Sequence, residues 1–155
     1  MENVPLDFLG ELRRTHTCGQ LRASDAGSRV ILMGWVHRRR DLGGVFFIHL
    51  RDRDGVTQLV FRAEGDSEAH RKAEMLGAEY VIAVEGLVEQ REAGTVNSAI
   101  PTGEVEVVVE KLWILNESRT PPFPMEENVD VKEDARLKYR YVDLRRPNMQ
   151  RNIIL

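Results

Sequence analysis

Apolar and polar residues alternate with a period of two along several stretches of the first 115 positions, the pattern of half-buried β-strands. In the clearest stretch, Phe46 to Asp52, Phe46, Ile48 and Leu50 share one face while Phe47, His49 and Arg51 share the other. Similar runs predict strands over about 29–38, 45–53, 56–62, 80–91 and 104–115. The first is rich in Val30, Ile31, Met33, Trp35 and Val36, with Gly34 as a bend or bulge. Asp54-Gly55 supplies a tight turn between the second and third. In the third, Gln58, Val60 and Arg62 alternate with Thr57, Leu59 and Phe61, so a second polar face lies beside that of Phe47.

Helical spacing takes over after the third strand. Gly65-Asp66-Ser67-Glu68 opens a helix with Ala69, Lys72, Ala73, Met75 and Leu76 in phase and Gly77 as its stop. Residues 1–16 suggest a short N-terminal helix around Phe8, Leu9 and Leu12, weakened by Gly10. Five strands with one helix between the third and fourth is the order of the OB-fold, a mainly β Greek-key barrel whose second and third strands bind oligonucleotides. Beyond Leu115, Arg119-Thr120-Pro121-Pro122-Phe123-Pro124 is too stiff to continue a sheet, and Met125 to Asp134 is acidic. Ala135 to Arg146 then looks helical, with Leu137, Tyr141 and Leu144 on one face; Pro147 interrupts, and 149–155 starts another amphipathic helix. The expected divisions are an N-terminal extension (1–16), an OB-fold domain (17–115), a Pro-rich acidic linker (116–135) and a C-terminal helical segment (136–155). A helix ending on Ile153-Ile154-Leu155 makes the chain read as a fragment of a longer protein.

Composition narrows the functional classes. The 155 residues are 42% hydrophobic and 30% charged, enough for one cored domain with appendages. No window is apolar for long enough to cross a bilayer, and the first residues lack a secretory pattern, so the expectation is a cytoplasmic protein without a membrane partner. The single cysteine, Cys18, excludes an internal disulfide and reads as a small apolar residue. His16, His37, His49 and His70 lack metal-ligand spacing, so no metal site is expected. A net charge of −3 argues against an indiscriminate polyanion binder. Arg38, Arg39, Arg40, Arg51 and Arg53 nevertheless fall close together, a basic patch on an acidic body that favours one docking orientation.

The candidate chemistry is therefore recognition. An aromatic ring beside guanidinium groups can stack a base and hold its phosphates, which Phe47 and the arginines are placed to do. Alternation alone also allows Phe47 to be a second core aromatic, and the arginines to pair with Asp41 or Asp52 in a solvated loop. Glu106 is either a solvated edge residue or an acceptor for the two N–H donors of a guanine edge. Gln58 suits a base edge but is equally an ordinary strand residue, and Arg91 is equally ambiguous. A Ser-His-Asp set, a carboxylate pair and a phosphate-cradling loop are all missing from the pattern, so no catalytic residue is assigned.

Gly34-Trp35-Val36-His37-Arg38-Arg39-Arg40-Asp41-Leu42-Gly43-Gly44, then Arg51-Asp52-Arg53-Asp54-Gly55, then Arg136-Leu137-Lys138-Tyr139-Arg140-Tyr141-Val142-Asp143-Leu144-Arg145-Arg146-Pro147 together resemble the bacterial-type aspartyl-tRNA synthetases. The resemblance runs in one register from about Thr15 to the end. It implies an N-terminal domain that reads the GUC anticodon of aspartate tRNA, with 136–155 as the start of a truncated class II catalytic domain. Carried over by position, Arg38 and Arg40 grip the anticodon loop, Phe47 stacks the middle uridine, Gln58 contacts a base edge, and Arg91 and Glu106 read the first base. The full-length parent would be an aspartate-tRNA ligase that activates L-aspartate with ATP and Mg2+ and transfers it to tRNA. This fragment would hold no cofactor and be inactive alone; the parent would be a homodimer and the fragment mostly monomeric. Val60 stands where some relatives carry a second aromatic, and His49 where an Asp is usual. Leu42 resembles enzymes confined to aspartate tRNA and Gly94 those that also charge asparagine tRNA, leaving both substrates open. The competing function is a general single-stranded nucleic-acid-binding OB domain.

Overall fold

The structure is a computed structural model that describes residues 3–64 and 67–154. The expected helix opening at Gly65-Asp66, Met1 and Glu2 of the N-terminal extension, and the final Leu155 lie outside the described residues. The chain forms two compact units, Met1–Ser118 and Arg119–Leu155.

In the first unit, β1 (Arg29–Leu42), β2 (Val45–Arg51), β3 (Val56–Phe61), β4 (Val81–Gln90) and β5 (Val105–Asn116) close a barrel in the order β1-β2-β3-β5-β4. The β3–β5 pairing is parallel and the others antiparallel. β1 serves two neighbours: from Arg29 to Trp35 it pairs with β4, and from Trp35 to Leu42 with β2. The partner change needs a close approach, because a Cβ on Gly34 would sit 2.4 Å from the Arg51 carbonyl oxygen. Gly34 thus permits the bend, while the register slip expected there falls at His37, between Val36 and Arg38. Inward-facing Val30, Leu32, Val36, Ile48, Leu50, Leu59, Ile82, Val107 and Ile114 fill the barrel.

Local chemistry sets the strand ends. Gly43 and Gly44, with φ of +64° and +86°, make the two-residue turn that closes β1 onto β2. β2 stops at Arg51, two residues short of expectation, because Asp52 turns its carboxylate onto the backbone. Its Oδ1 accepts from Asp54 N (2.8 Å) and Gly55 N (3.1 Å), and its Oδ2 from Cys18 N (2.8 Å). The helix α1 (Glu68–Ala73) is capped by the Ser67 hydroxyl and turns Ala69 and Ala73 inward. Its His70 stacks on Phe46 with ring centroids 4.8 Å apart, and the Arg39 guanidinium sits 4.7 Å from the same ring.

The expected N-terminal helix does not form in residues 3–16. Gly10 adopts φ +61°, outside the right-handed helix, and long-range bonds claim the segment instead. Asp7 N donates to the Ile114 carbonyl (2.7 Å), its Oδ2 accepts from Ile114 N (2.9 Å) and Lys72 Nζ (2.7 Å), and Phe8 is exposed.

The second unit holds α2 (Glu133–Lys138), α3 (Arg140–Asp143) and α4 (Pro147–Ile153). The single helix expected over 135–146 is broken at Tyr139 (φ −110°, ψ 47°). The buried side is also not the one the spacing suggested. Leu137 and Tyr141 are exposed, while Val142 packs with Phe123 and Met125, and Asp143 is fully buried against Arg136 and Arg146.

Candidate nucleic-acid interface

The outer face of β1, β2, β3 and β5 is assembled by register. Arg40 pairs with Phe47 and Phe47 with Val60; one step along, Arg38 pairs with His49 and His49 with Gln58. The parallel β3–β5 pairing of Leu59 with Val107 and Val60 with Val108 sets Gln58 beside Glu106. A polar row, Arg38–His49–Gln58–Glu106, therefore crosses four strands next to an aromatic–aliphatic row.

Five of the six predicted residues, Arg40, Phe47, Gln58, Arg91 and Glu106, line one groove of about 390 Å³. Arg38 stands one pair away on the same face. Leu42, Arg62, Glu89, Gln90, Glu92 and Thr95 complete the lining. Phe47 is half-buried in the groove wall and not a core aromatic, because its neighbour Phe46 takes the inward position. The arginines stand on a strand, and the carboxylates that could have paired with them hold turns: Asp41 Oδ1 accepts from Gly44 N (3.0 Å), and Asp52 is spent as described. The Arg40 side chain makes no ion pair or hydrogen bond among the described residues, which leaves its guanidinium available to a phosphate.

Glu106 is no solvated edge residue. Gln58 Nε2 donates to its Oε2 (2.9 Å), and Arg91 Nε lies 4.0 Å from the same oxygen, with side-chain exposures of 9% for Arg91 and 16% for Glu106. Yet Arg91 Nε and Nη1, Gln58 Oε1 and His49 Nε2 are buried without a hydrogen-bond partner among the described residues. Leaving such groups unmade costs on the order of 1–3 kcal/mol each, and three of the four, on Arg91 and Gln58, belong to residues that line the groove, where a polar ligand can complete the bonding. Burial lowers the pKa of His49, with Arg40, Arg38 and His37 adding to the effect and Gln58 opposing it, so the imidazole is neutral near pH 7.

Arg62 was legible as a neighbour of Gln58 on alternation, and it pairs with Glu89 across the groove wall (3.2 Å). The place of His49 in the polar row was not legible, because it is set by the cross-strand pairing with Gln58 and not by its own position. Among the described residues, no group of three or more His, Cys, Asp or Glu is arranged to hold a metal ion, and no helix is long and apolar enough to cross a membrane.

Residues 30–115 match the family described as OB-fold nucleic acid binding domain. The chain belongs to that family. It is 55% identical over 97% of its length to an aspartate–tRNA(Asp/Asn) ligase of Syntrophotalea carbinolica, and 56% identical over 96% to one of Desulfatibacillum aliphaticivorans. In each case it spans 25% of the relative's length. Among solved structures it is similar to the asparaginyl-tRNA synthetase of Pyrococcus horikoshii complexed with asparaginyl-adenylate. That match has a TM-score of 0.68 at 30% identity and covers 85% of this chain and 29% of the other. The resemblance to aspartyl-tRNA synthetases carried by the sequence motifs is thus shared with full-length relatives of that activity, and this OB-fold member corresponds to their N-terminal, anticodon-binding part.

Proposed function

We propose that the chain reads the anticodons of aspartate and asparagine tRNAs, GUC and GUU, on behalf of an aspartate–tRNA ligase. The carrying observation is the groove in which Phe47 lies beside a buried Arg91–Glu106–Gln58 set with unmet hydrogen-bonding atoms. The sequence named the GUC anticodon and left asparagine tRNA open; the relatives' names, which include both tRNAs, support adding GUU.

Arg38 and Arg40 hold loop phosphates, and Phe47 stacks the middle uridine. Gln58 meets a base edge. At the first base, the Glu106 carboxylate accepts from guanine N1–H and N2–H while Arg91 donates to guanine O6. The third position admits C or U. The remainder of the parent, a cytoplasmic homodimer, binds L-aspartate and ATP with Mg2+ and forms aspartyl-tRNA; the piece described by this sequence binds tRNA without charging it.

Fluorescence anisotropy with anticodon stem-loops, whose single-stranded loops fall within the roughly 4–16 nucleotides that one OB-fold covers, tests the reading. GUC and GUU loops are expected to bind alike and at least about tenfold more tightly than a loop of scrambled sequence. Equal retention of the scrambled loop would instead assign the chain to general single-strand binding.

A further inference from the structure

We infer that His49 is a further base-reading residue beside this groove: its Nε2 and Gln58 Oε1, on paired strands, form a two-atom edge that selects keto bases over amino bases. The inference rests on the RNA-binding reading above.

The orientation of Gln58 follows from its neighbour. A carboxylate oxygen of Glu106 can only accept, so the Gln58 amide nitrogen must face it, as the 2.9 Å contact shows, and the amide oxygen is left over. That oxygen is buried and has no partner among the described residues. His49 stands directly opposite Gln58 in the β2–β3 register, with its Nε2 also buried and unmatched. Directly opposed side chains have Cβ atoms about 4.5–5.5 Å apart, so the two orphaned atoms belong to one small polar patch.

The charge state of His49 fixes what the patch offers. Arg38, Arg40 and His37 on β1 face it, and burial acts in the same direction, so the imidazole carries one proton. Gln58 Oε1 lies beside the ring but outside hydrogen-bonding geometry, and its lone pairs disfavour a second bare acceptor next to them, so the proton sits on Nε2. The patch then presents one donor, His49 Nε2–H, beside one acceptor, Gln58 Oε1. Uracil (O4 with N3–H) and guanine (O6 with N1–H) offer the complementary pair; cytosine and adenine offer the reverse, an amino donor beside a bare ring nitrogen. Phe47 lies two residues along the same face, about 7 Å from His49 at strand spacing, so a base on its ring reaches the patch with its edge.

The test uses the 155-residue chain and anticodon stem-loops in which each loop nucleotide is made abasic in turn, locating the base that Phe47→Ala no longer senses. At that position U, C and 3-methyluracil are compared in wild type, His49→Ala and His49→Gln by anisotropy, with thermal unfolding as a fold control. Wild type is expected to prefer U over both C and 3-methyluracil. His49→Ala should lose about fivefold to tenfold for U, the scale of one hydrogen bond, while C, 3-methyluracil and abasic loops are unchanged. His49→Gln, which retains an N–H donor, should recover part of the preference for U. A uniform loss across U, C and abasic loops, or no loss for U, overturns the inference. Neither result depends on the anticodon reading, which fails separately if wild type does not separate GUC from scrambled loops.

Discussion

Each unit of the chain buries a cluster of arginine and carboxylate side chains, and the two clusters differ in how completely they are bonded. In the second unit, Asp143 accepts from Arg146 Nη1 (3.1 Å) and Arg136 Nε (3.3 Å). Arg146 then donates three further N–H groups, from Nε and Nη2, to the carbonyls of Glu126 (3.2 Å), Glu127 (3.4 Å) and Val129 (3.0 Å). In the barrel, Arg91 comes no nearer than 4.0 Å to Glu106, and Arg91, Gln58 and His49 all keep buried atoms without partners among the described residues. The same residue types thus serve two ends. The completed cluster ties a linker of little apolar content into a fold, whereas the incomplete one holds bonding capacity in reserve at a groove.

The largest expected effect separates these ends. Asp143→Ala strands two arginines, one of them buried, and should cost about 3–5 kcal/mol of the second unit's stability, as removing one partner of a buried ion pair does. Limited proteolysis is expected to show cleavage within 119–155 while the barrel survives. Acid should act likewise. Burial by itself raises the Asp143 pKa, but Arg136 and Arg146 outweigh it and hold the carboxyl below its ordinary value. A depressed folded pKa contributes stability that is complete above about pH 4 and is lost as pH falls through the lower folded value. Resistance of 119–155 unchanged by the substitution would remove the contrast on which the comparison rests.

Phe47→Ala comes next and should invert the pattern. Stacking on one aromatic ring is worth about 1–3 kcal/mol of binding, so stem-loop affinity should drop by that amount with the unfolding midpoint nearly unmoved, because Phe47 lies on the wall of the groove and outside the core. A large fall in the midpoint with affinity intact would make Phe47 a structural residue and the groove a passive surface.

How much of this could be read along the chain follows from the range of the forces involved. Alternation located all five strands and the Phe47 face, because a two-residue period is local and each strand turns one face into the barrel, although β3 is buried on both faces. Side-chain capture of the backbone was hidden: Asp52 ends β2 early, and Asp7, 107 positions from Ile114, ties down a non-helical segment where the first helix was predicted. Spacing likewise favoured Leu137 and Tyr141 as the packed side of the C-terminal segment, whereas the Asp143 cluster pulls Val142 inward instead. At the groove, Phe47 and the arginines were legible from residue type, but Glu106 stood open between a solvated edge residue and a base acceptor until the family resemblance favoured the second. Its burial depends on the parallel β3–β5 pairing, a long-range event that leaves no periodic trace.

The smallest effect probes how far incompleteness extends to the groove's rim. Arg62 is already committed to Glu89 at 3.2 Å, while Arg40 lacks an ion pair among the described residues. Each phosphate neutralised on a single strand contributes about −0.7 to the slope of log affinity against log salt, through counterion release. Arg40→Ala should therefore flatten the slope by about 0.7 and weaken all loop sequences alike, since a phosphate contact carries no base information. Arg62→Ala should change it less, because RNA must compete with Glu89 for that guanidinium. Equal flattening by both would mean that RNA opens the Arg62–Glu89 pair on binding, extending the set of groups completed by ligand from the buried atoms of Arg91, Gln58 and His49 to the rim.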